Sequence, residues 1–217
     1  FSRVRWRGSS GIQERRATKR VVDPSAGFRM GAAVSASEWA PIAEEVAAIK
    51  KAGVPFEDAA FPASFASIGD AIKHGDAYVW RRPADWLGGA PGAAAPSLFG
   101  AADAVAPDDV LEGKIADCFL LAAASVLAAQ PALVRALFGG YDPALGVAAL
   151  RLFKDDAWTT VLVDDRVPCA KGGGPELGRC RDASALWMPL LEKAFAKLYG
   201  SYSALVGGHV GETLRTL

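Results

Sequence analysis

Cys118 is the residue of this 217-residue chain best placed to do covalent chemistry. It follows the polar, glycine-containing loop Glu112-Gly113-Lys114-Ile115-Ala116-Asp117 and precedes Phe119-Leu120-Leu121-Ala122-Ala123-Ala124-Ser125, a small-apolar run that reads as a buried helix. In a first helical turn, unpaired N–H groups and the positive end of the helix dipole favour thiolate over thiol. Thiolate is the form that attacks a carbonyl carbon. A lone cysteine can equally be a small hydrophobe in a core, and residue type by itself leaves both readings open.

The other reactive side chains give weaker signals. His74 and His209 are the two imidazoles, and His209 follows a glycine pair on a turn, where solvation is the expected role. Asp164 and Asp165 end a strand-like run, which suggests strand termination and loop hydrogen bonds rather than a metal site. Cys169 and Cys180 flank a glycine loop with no histidine nearby and read as plain thiols. Three widely spaced cysteines form neither a disulfide framework nor a zinc motif, and a reducing setting fits them.

The run from Leu111 to Ser125 resembles the active-site segment of the calpain family of cysteine proteases, Q-G-x-L-G-D-C-W-L-L-A-A. Gly113, Asp117, Cys118, Leu120, Leu121, Ala122 and Ala123 match, while Ile115, Ala116 and Phe119 stand for leucine, glycine and tryptophan. Phe56-Glu57-Asp58 with Phe61-Pro62-Ala63 looks like the family's F-E-D-x-x-F-P-A, and Trp80-Arg81-Arg82-Pro83 like its W-x-R-P. Downstream, Trp158 with Val161 to Pro168 resembles W-x-x-V-x-V-D-D-x-x-P. Trp187, the run Leu190 to Leu198, Gly200-Ser201-Tyr202, Ala204-Leu205 and Gly207-Gly208 follow the family's late helix and turn.

The resemblance implies a role for each matching position. Cys118 would attack the scissile carbonyl, helped by a histidine and an asparagine from a second subdomain. Glu112, six residues earlier, stands where the family has the glutamine whose amide donates to the oxyanion. An ionised glutamate has no such donor. Losing one oxyanion donor typically costs about 3–4 kcal/mol of transition-state stabilisation. A carboxylate beside the developing charge adds up to about 4 kcal/mol of repulsion at 4 Å and an effective dielectric near 20. Burial could keep Glu112 neutral, or it could turn outward and leave the Cys118 N–H as donor. Asp109 falls on a calcium-ligating aspartate of the family, but the partner glutamate corresponds to Ala185.

The surrounding sequence supplies the elements that would position this segment. Residues 1–35 are basic and aperiodic, read as a flexible leader or part of another domain rather than a targeting signal. Ser37 to Ala52 reads as a helix capped by Ser37 and stopped by Gly53, with Trp39, Ile42, Val46 and Ile49 on one face. Gly88 to Pro107 is a long Ala/Gly/Pro loop. A helix from Asp117 or Cys118 to about Ala129 precedes a short one from Pro131 to Leu137, ended by Gly139-Gly140. Val147–Phe153 and Trp158–Val163 form a hairpin around Lys154-Asp155-Asp156, residues 169 to 181 a loop, and Ser184–Leu198 the last clear helix.

These readings predict an α+β fold: a papain-like calpain catalytic core, its mainly helical first subdomain carrying a small antiparallel sheet. Residues 36–217 would be the nucleophile-bearing subdomain, and the chain reads as a piece of a longer protein whose second subdomain lies downstream. The implied function is calcium-dependent cysteine-type endopeptidase chemistry on polypeptides, through a thioester at Cys118. The piece by itself would lack a base, and calcium would act as regulator, with no organic cofactor. The competing reading, favoured by Glu112, Ala116 and Ala185, is a non-catalytic binding or scaffolding module. Hydrophobic content of 51% supports a sizeable core, and zero formal charge argues against nucleic acid as a partner. No apolar run reaches the roughly 18 residues of a membrane span, and a cytoplasmic location is expected.

Overall fold

A computed structural model describes residues 39–88 and 95–217. The basic leader and Ser37 lie outside the described residues. The first elements are α1 (Ala40–Ala52), α2 (Phe65–Ile68), β1 (Val79–Arg81) and α3 (Pro83–Leu87). Then come β2 (Val110–Leu111), α4 (Cys118–Ala128), α5 (Pro131–Ala136), β3 (Phe138–Asp142), β4 (Val147–Lys154) and β5 (Ala157–Asp164). The chain continues through β6 (Val167–Cys169), β7 (Arg179–Cys180), α6 (Trp187–Tyr199) and α7 (Val210–Thr216).

The strands form three small antiparallel sheets rather than one: β3-β4-β5, β1 with β6, and β2 with β7. The β4–β5 hairpin turns at Asp155-Asp156, both with positive φ (53° and 60°), as the tight two-residue hairpin turn requires. Its alternation separates two cores. Ala148, Leu150, Leu152, Val161 and Val163 face the main core, whereas Val147, Ala149 and Leu162 face Trp39, Ile42 and Val46 of the α1 segment. The sheet is therefore covered on both sides, which explains why β4 reads as a continuous apolar run.

α1 begins at Ala40 with Trp39 at its N-cap and stops at Gly53, whose φ of 65° supplies the left-handed cap. The expected packing stripe on this helix is present. Gly139-Gly140 does not end α5. Both glycines lie within β3, and a Cβ on Gly139 would sit 2.5 Å from the Trp39 ring. Gly139 serves close packing, and Gly140, at φ 154°, sits where the β3 register shifts.

α6 is the central element of the main core. Every residue from Trp187 to Ala196 is buried, including Glu192 and Lys193. A fully buried Leu or Met side chain contributes roughly 1.5–3 kcal/mol. Two buried ionisable groups in that run therefore need specific partners, and each has them.

Candidate active site

Cys118 is the first residue of α4 and is exposed, while Phe119, Leu120 and Leu121 behind it are buried. The turn is closed by the Asp117 carbonyl, which accepts from the N–H of Leu120 (2.8 Å) and of Leu121 (3.2 Å). Among the described residues, no backbone carbonyl accepts the N–H of Cys118, as expected at a helix start. Phe119 packs on the glycine pair ahead of α7, where a Cβ on Gly208 would lie 2.8 Å from its ring. The Gly207 N–H donates to the Ala116 carbonyl (3.0 Å), fastening the loop from behind.

The approach to Cys118 is equally constrained. Lys114 N–H donates to the Glu176 carbonyl (3.0 Å), and their side chains pair as ions. A Cβ on Gly113 would come within 2.2 Å of the Leu177 backbone, so only glycine fits this crossing. Between the two segments lies a polar groove of about 440 Å³, lined by Glu112, Gly113, Lys114, Gly174, Glu176 and Arg179 among others. The loop expected over 169 to 181 is the groove's opposite wall, a role its sequence does not show. Short strands β6 and β7 carry that wall, and the run Gly172-Gly173-Gly174 was the available signal.

Glu112 lines this groove and is solvent-exposed, its carbonyl accepting from the Arg179 guanidinium (2.9 Å). The buried setting that a neutral, donating carboxyl would need is absent. Asp109 turns its carboxylate onto its own turn, accepting the Ala106 N–H at 2.7 Å. Ala185 is buried and offers no side-chain oxygen. Among the described residues, no group of three or more His, Cys, Asp or Glu side chains is disposed to hold a metal ion.

His74 and His209 are both exposed, and no side chain among the described residues hydrogen-bonds the Cys118 sulfur. Cys169 and Cys180 are buried, and burial pushes each thiol up to about 12. A thiol reagent should therefore titrate one of three cysteines in the folded chain and all three after denaturation. Fast reaction of two or more in the folded chain would contradict this packing.

The charged residues of the other motifs gather around Asp164 and Asp165. Asp164, fully buried, accepts from the Asp58 N–H (2.8 Å), the Lys193 ammonium (2.8 Å) and Arg166 Nη2 (2.8 Å). Lys193 also donates to the carbonyls of Asp164 (2.9 Å) and Arg166 (2.6 Å), so all three of its N–H donors are matched. Lys197 holds Asp58 (2.7 Å), and Arg82 pairs with Asp165, which also accepts the Tyr141 hydroxyl (2.9 Å). Trp80 lies over Lys193 at 5.2 Å. Burial opposes ionisation of Asp164, but Arg166 and Lys193 outweigh it and hold the carboxyl well below the usual range. Burial lowers Lys193 to about 8 against the opposing pull of Asp164, which leaves it charged at neutral pH. The Asp164-Asp165 pair is thus a structural anchor, more deeply embedded than strand termination suggested.

Comparison with known proteins places these observations. The chain matches the profile of the calpain family cysteine proteases over residues 56–217. It is 35% identical over 135 residues to a calpain-type cysteine protease, ADL1, of Oryza sativa subsp. japonica, covering 62% of this chain and 6% of that protein. It is 32% identical over 169 residues to calpain-12 of Mus musculus (74% and 22%) and 33% identical over 175 residues to calpain-10 of Rattus norvegicus (73% and 24%). The chain thus spans less than a quarter of the length of these relatives. A fixed cysteine at a helix head, a walled groove along the loop that leads to it and a family match over three-quarters of the sequence agree: this chain belongs to the calpain family of cysteine proteases.

Proposed function

We propose that residues 36–217 are the nucleophile-bearing first subdomain of a papain-like calpain core, and that the longer protein is a cysteine-type endopeptidase. The observation that carries this reading is the exposed Cys118 at the head of a buried helix, on a loop whose preceding residues Glu112, Gly113 and Lys114 line a polar groove. The groove's open, polar lining suits an extended polypeptide.

In the proposed reaction the Cys118 thiol gives its proton to a histidine of a second subdomain, oriented by an asparagine. The sulfur then attacks the peptide carbonyl, and the unpartnered N–H of Cys118 donates to the oxyanion. Collapse breaks the C–N bond, the histidine returns the proton to the leaving amine, and a thioester remains on Cys118. Water, deprotonated by the same base, hydrolyses it. Because nucleophile and base sit on different pieces, approach of the two subdomains would be the regulated step.

Calcium regulation is carried over from the family resemblance, and the residues present do not by themselves make its site. The Asp109 carboxylate is engaged in its own turn and Ala185 replaces the second ligand. Hard cations take six or more oxygens, so any calcium acting here would need donors from outside the described residues. No helix among the described residues is long and apolar enough to cross a membrane. A cytoplasmic location remains our reading from cysteine usage.

Substituting Cys118→Ser in the longer protein should abolish proteolysis while leaving the thermal stability unchanged. Proteolysis that survives the substitution would overturn the assignment.

A further inference from the structure

We propose that Asp117 and Glu192 share one proton, and that this carboxyl pair positions the Cys118 turn against the groove wall. Asp117 immediately precedes Cys118, and its side chain is fully buried. Among the described residues, neither of its carboxylate oxygens meets an N–H or hydroxyl donor. Glu192, 1% exposed on α6, is the group its side chain hydrogen-bonds. Two ionised carboxylates are acceptors only, so this bond exists only while one of them carries a proton.

Glu192 is the better holder of that proton. It is enclosed by the apolar residues of α6, whereas Asp117 closes the first turn of α4, where a negative charge is favoured by the helix start. The other Glu192 oxygen accepts the Gly178 N–H at 2.8 Å. Gly178 has no room for a side chain, since a Cβ there would lie 2.9 Å from that oxygen. One glutamate therefore ties α6 to both sides of the site: the turn bearing Cys118, and the Leu177-Gly178 wall that crosses over Gly113.

The surroundings favour retention of the proton. Tyr202 and Tyr78 are the titratable groups that feel Glu192 from neighbouring segments, and both are acids. Glu112 is the further charge that bears on Asp117, and it is an anion. Lys193, next on α6, is fully committed to Asp164 and Arg166. Burial first, then Asp117, raises Glu192 well above its ordinary value, and burial pushes Asp117 up to about 6. Both carboxyls are thus raised relative to the unfolded chain. Their contribution to stability is complete below about pH 4 and is lost as pH rises through the folded values, with a proton released on unfolding in between.

The proposal uses the reading of Cys118 as nucleophile only for its purpose; the shared proton stands or falls separately. The test compares the chain with its Glu192→Gln and Glu192→Ala variants. Unfolding stability is measured from pH 5.5 to 8.5, and the rate of Cys118 alkylation by iodoacetamide at each pH. Glutamine carries a permanent donor, so Glu192→Gln should flatten the decline in stability with pH and release about one proton fewer on unfolding. It should also keep the alkylation rate within about twofold of the parent near pH 7, where the donor is present in both. Glu192→Ala should change that rate by about fivefold or more, because the turn loses its anchor. Parallel stability curves for parent and Glu192→Gln would overturn the shared proton, and a parental alkylation rate in Glu192→Ala would overturn the positioning. If the alanine variant does not fold, the glutamine comparison decides: flattening with retained rate supports the proposal, and a slowed rate refutes it. Absence of Cys118-dependent proteolysis in the longer protein would leave these results intact and would count against the protease reading alone.

Discussion

Asp164→Ala is expected to remove about 3–5 kcal/mol of folding stability, a large share of the roughly 5–15 kcal/mol typical of a native domain. The loss comes mainly from what remains: Lys193, fully buried, keeps two carbonyl acceptors but loses its contacting counter-charge. The Asp58 N–H and Arg166 guanidinium lose their acceptor as well. Because the Asp164 carboxyl is held below its unfolded value, its contribution is complete above about pH 5 and fades as pH falls through the depressed folded value. The cost, measured by urea unfolding, should therefore be full at pH 6 and shrink toward pH 8, because Lys193, already lowered to about 8 beside Asp164, sheds its proton more readily without it. Combining Asp164→Leu with Lys193→Met should cost far less than the two changes summed, since a buried pair replaced by apolar groups leaves no orphaned charge. Additive losses would mean that the pair is not coupled as described.

The second large effect concerns Glu112. In the longer protein, Glu112→Gln should raise kcat by about 100-fold or more, because glutamine can turn an amide donor toward the developing oxyanion where the exposed carboxylate supplies none. The KM should change little, since this interaction strengthens only in the transition state. The exposed position of Glu112 at the groove leaves room for glutamine, so stability should be unaffected. An unchanged kcat would mean that residue 112 does not reach the oxyanion and that backbone donation at Cys118 suffices.

The parts of this molecule legible in sequence are those encoded locally. A polar loop switching abruptly to Phe119-Leu120-Leu121 placed Cys118 at a helix head, and the two apolar runs around Asp155-Asp156 gave the hairpin. Gly139-Gly140 was misread because a glycine capping a helix and a glycine pressed against an indole look alike until Trp39, a hundred residues away, is in place. Strands β6 and β7 span three and two residues, too short to show a period.

The ionic network was beyond reach for the same reason: Asp58 and Lys197 are 139 positions apart. Their motifs were visible through the family resemblance, but the physical reason for them was not. Glu192-Lys193 inside an apolar helix was the one local hint, since ionisable side chains enter such a run only when paired. Glu112 shows the limit from the other side. Sequence identified its position, and only the fold shows that it is exposed at the groove.

The most direct test of the central claim is to trap the acyl-enzyme. The longer protein would be mixed with a peptide ester, quenched in acid within the first turnover, and its fragments weighed. The account predicts a thioester adduct on the fragment containing Cys118, absent in Cys118→Ser. An adduct on another residue, or turnover of the ester by the Cys118→Ser protein at the parental rate, would contradict it.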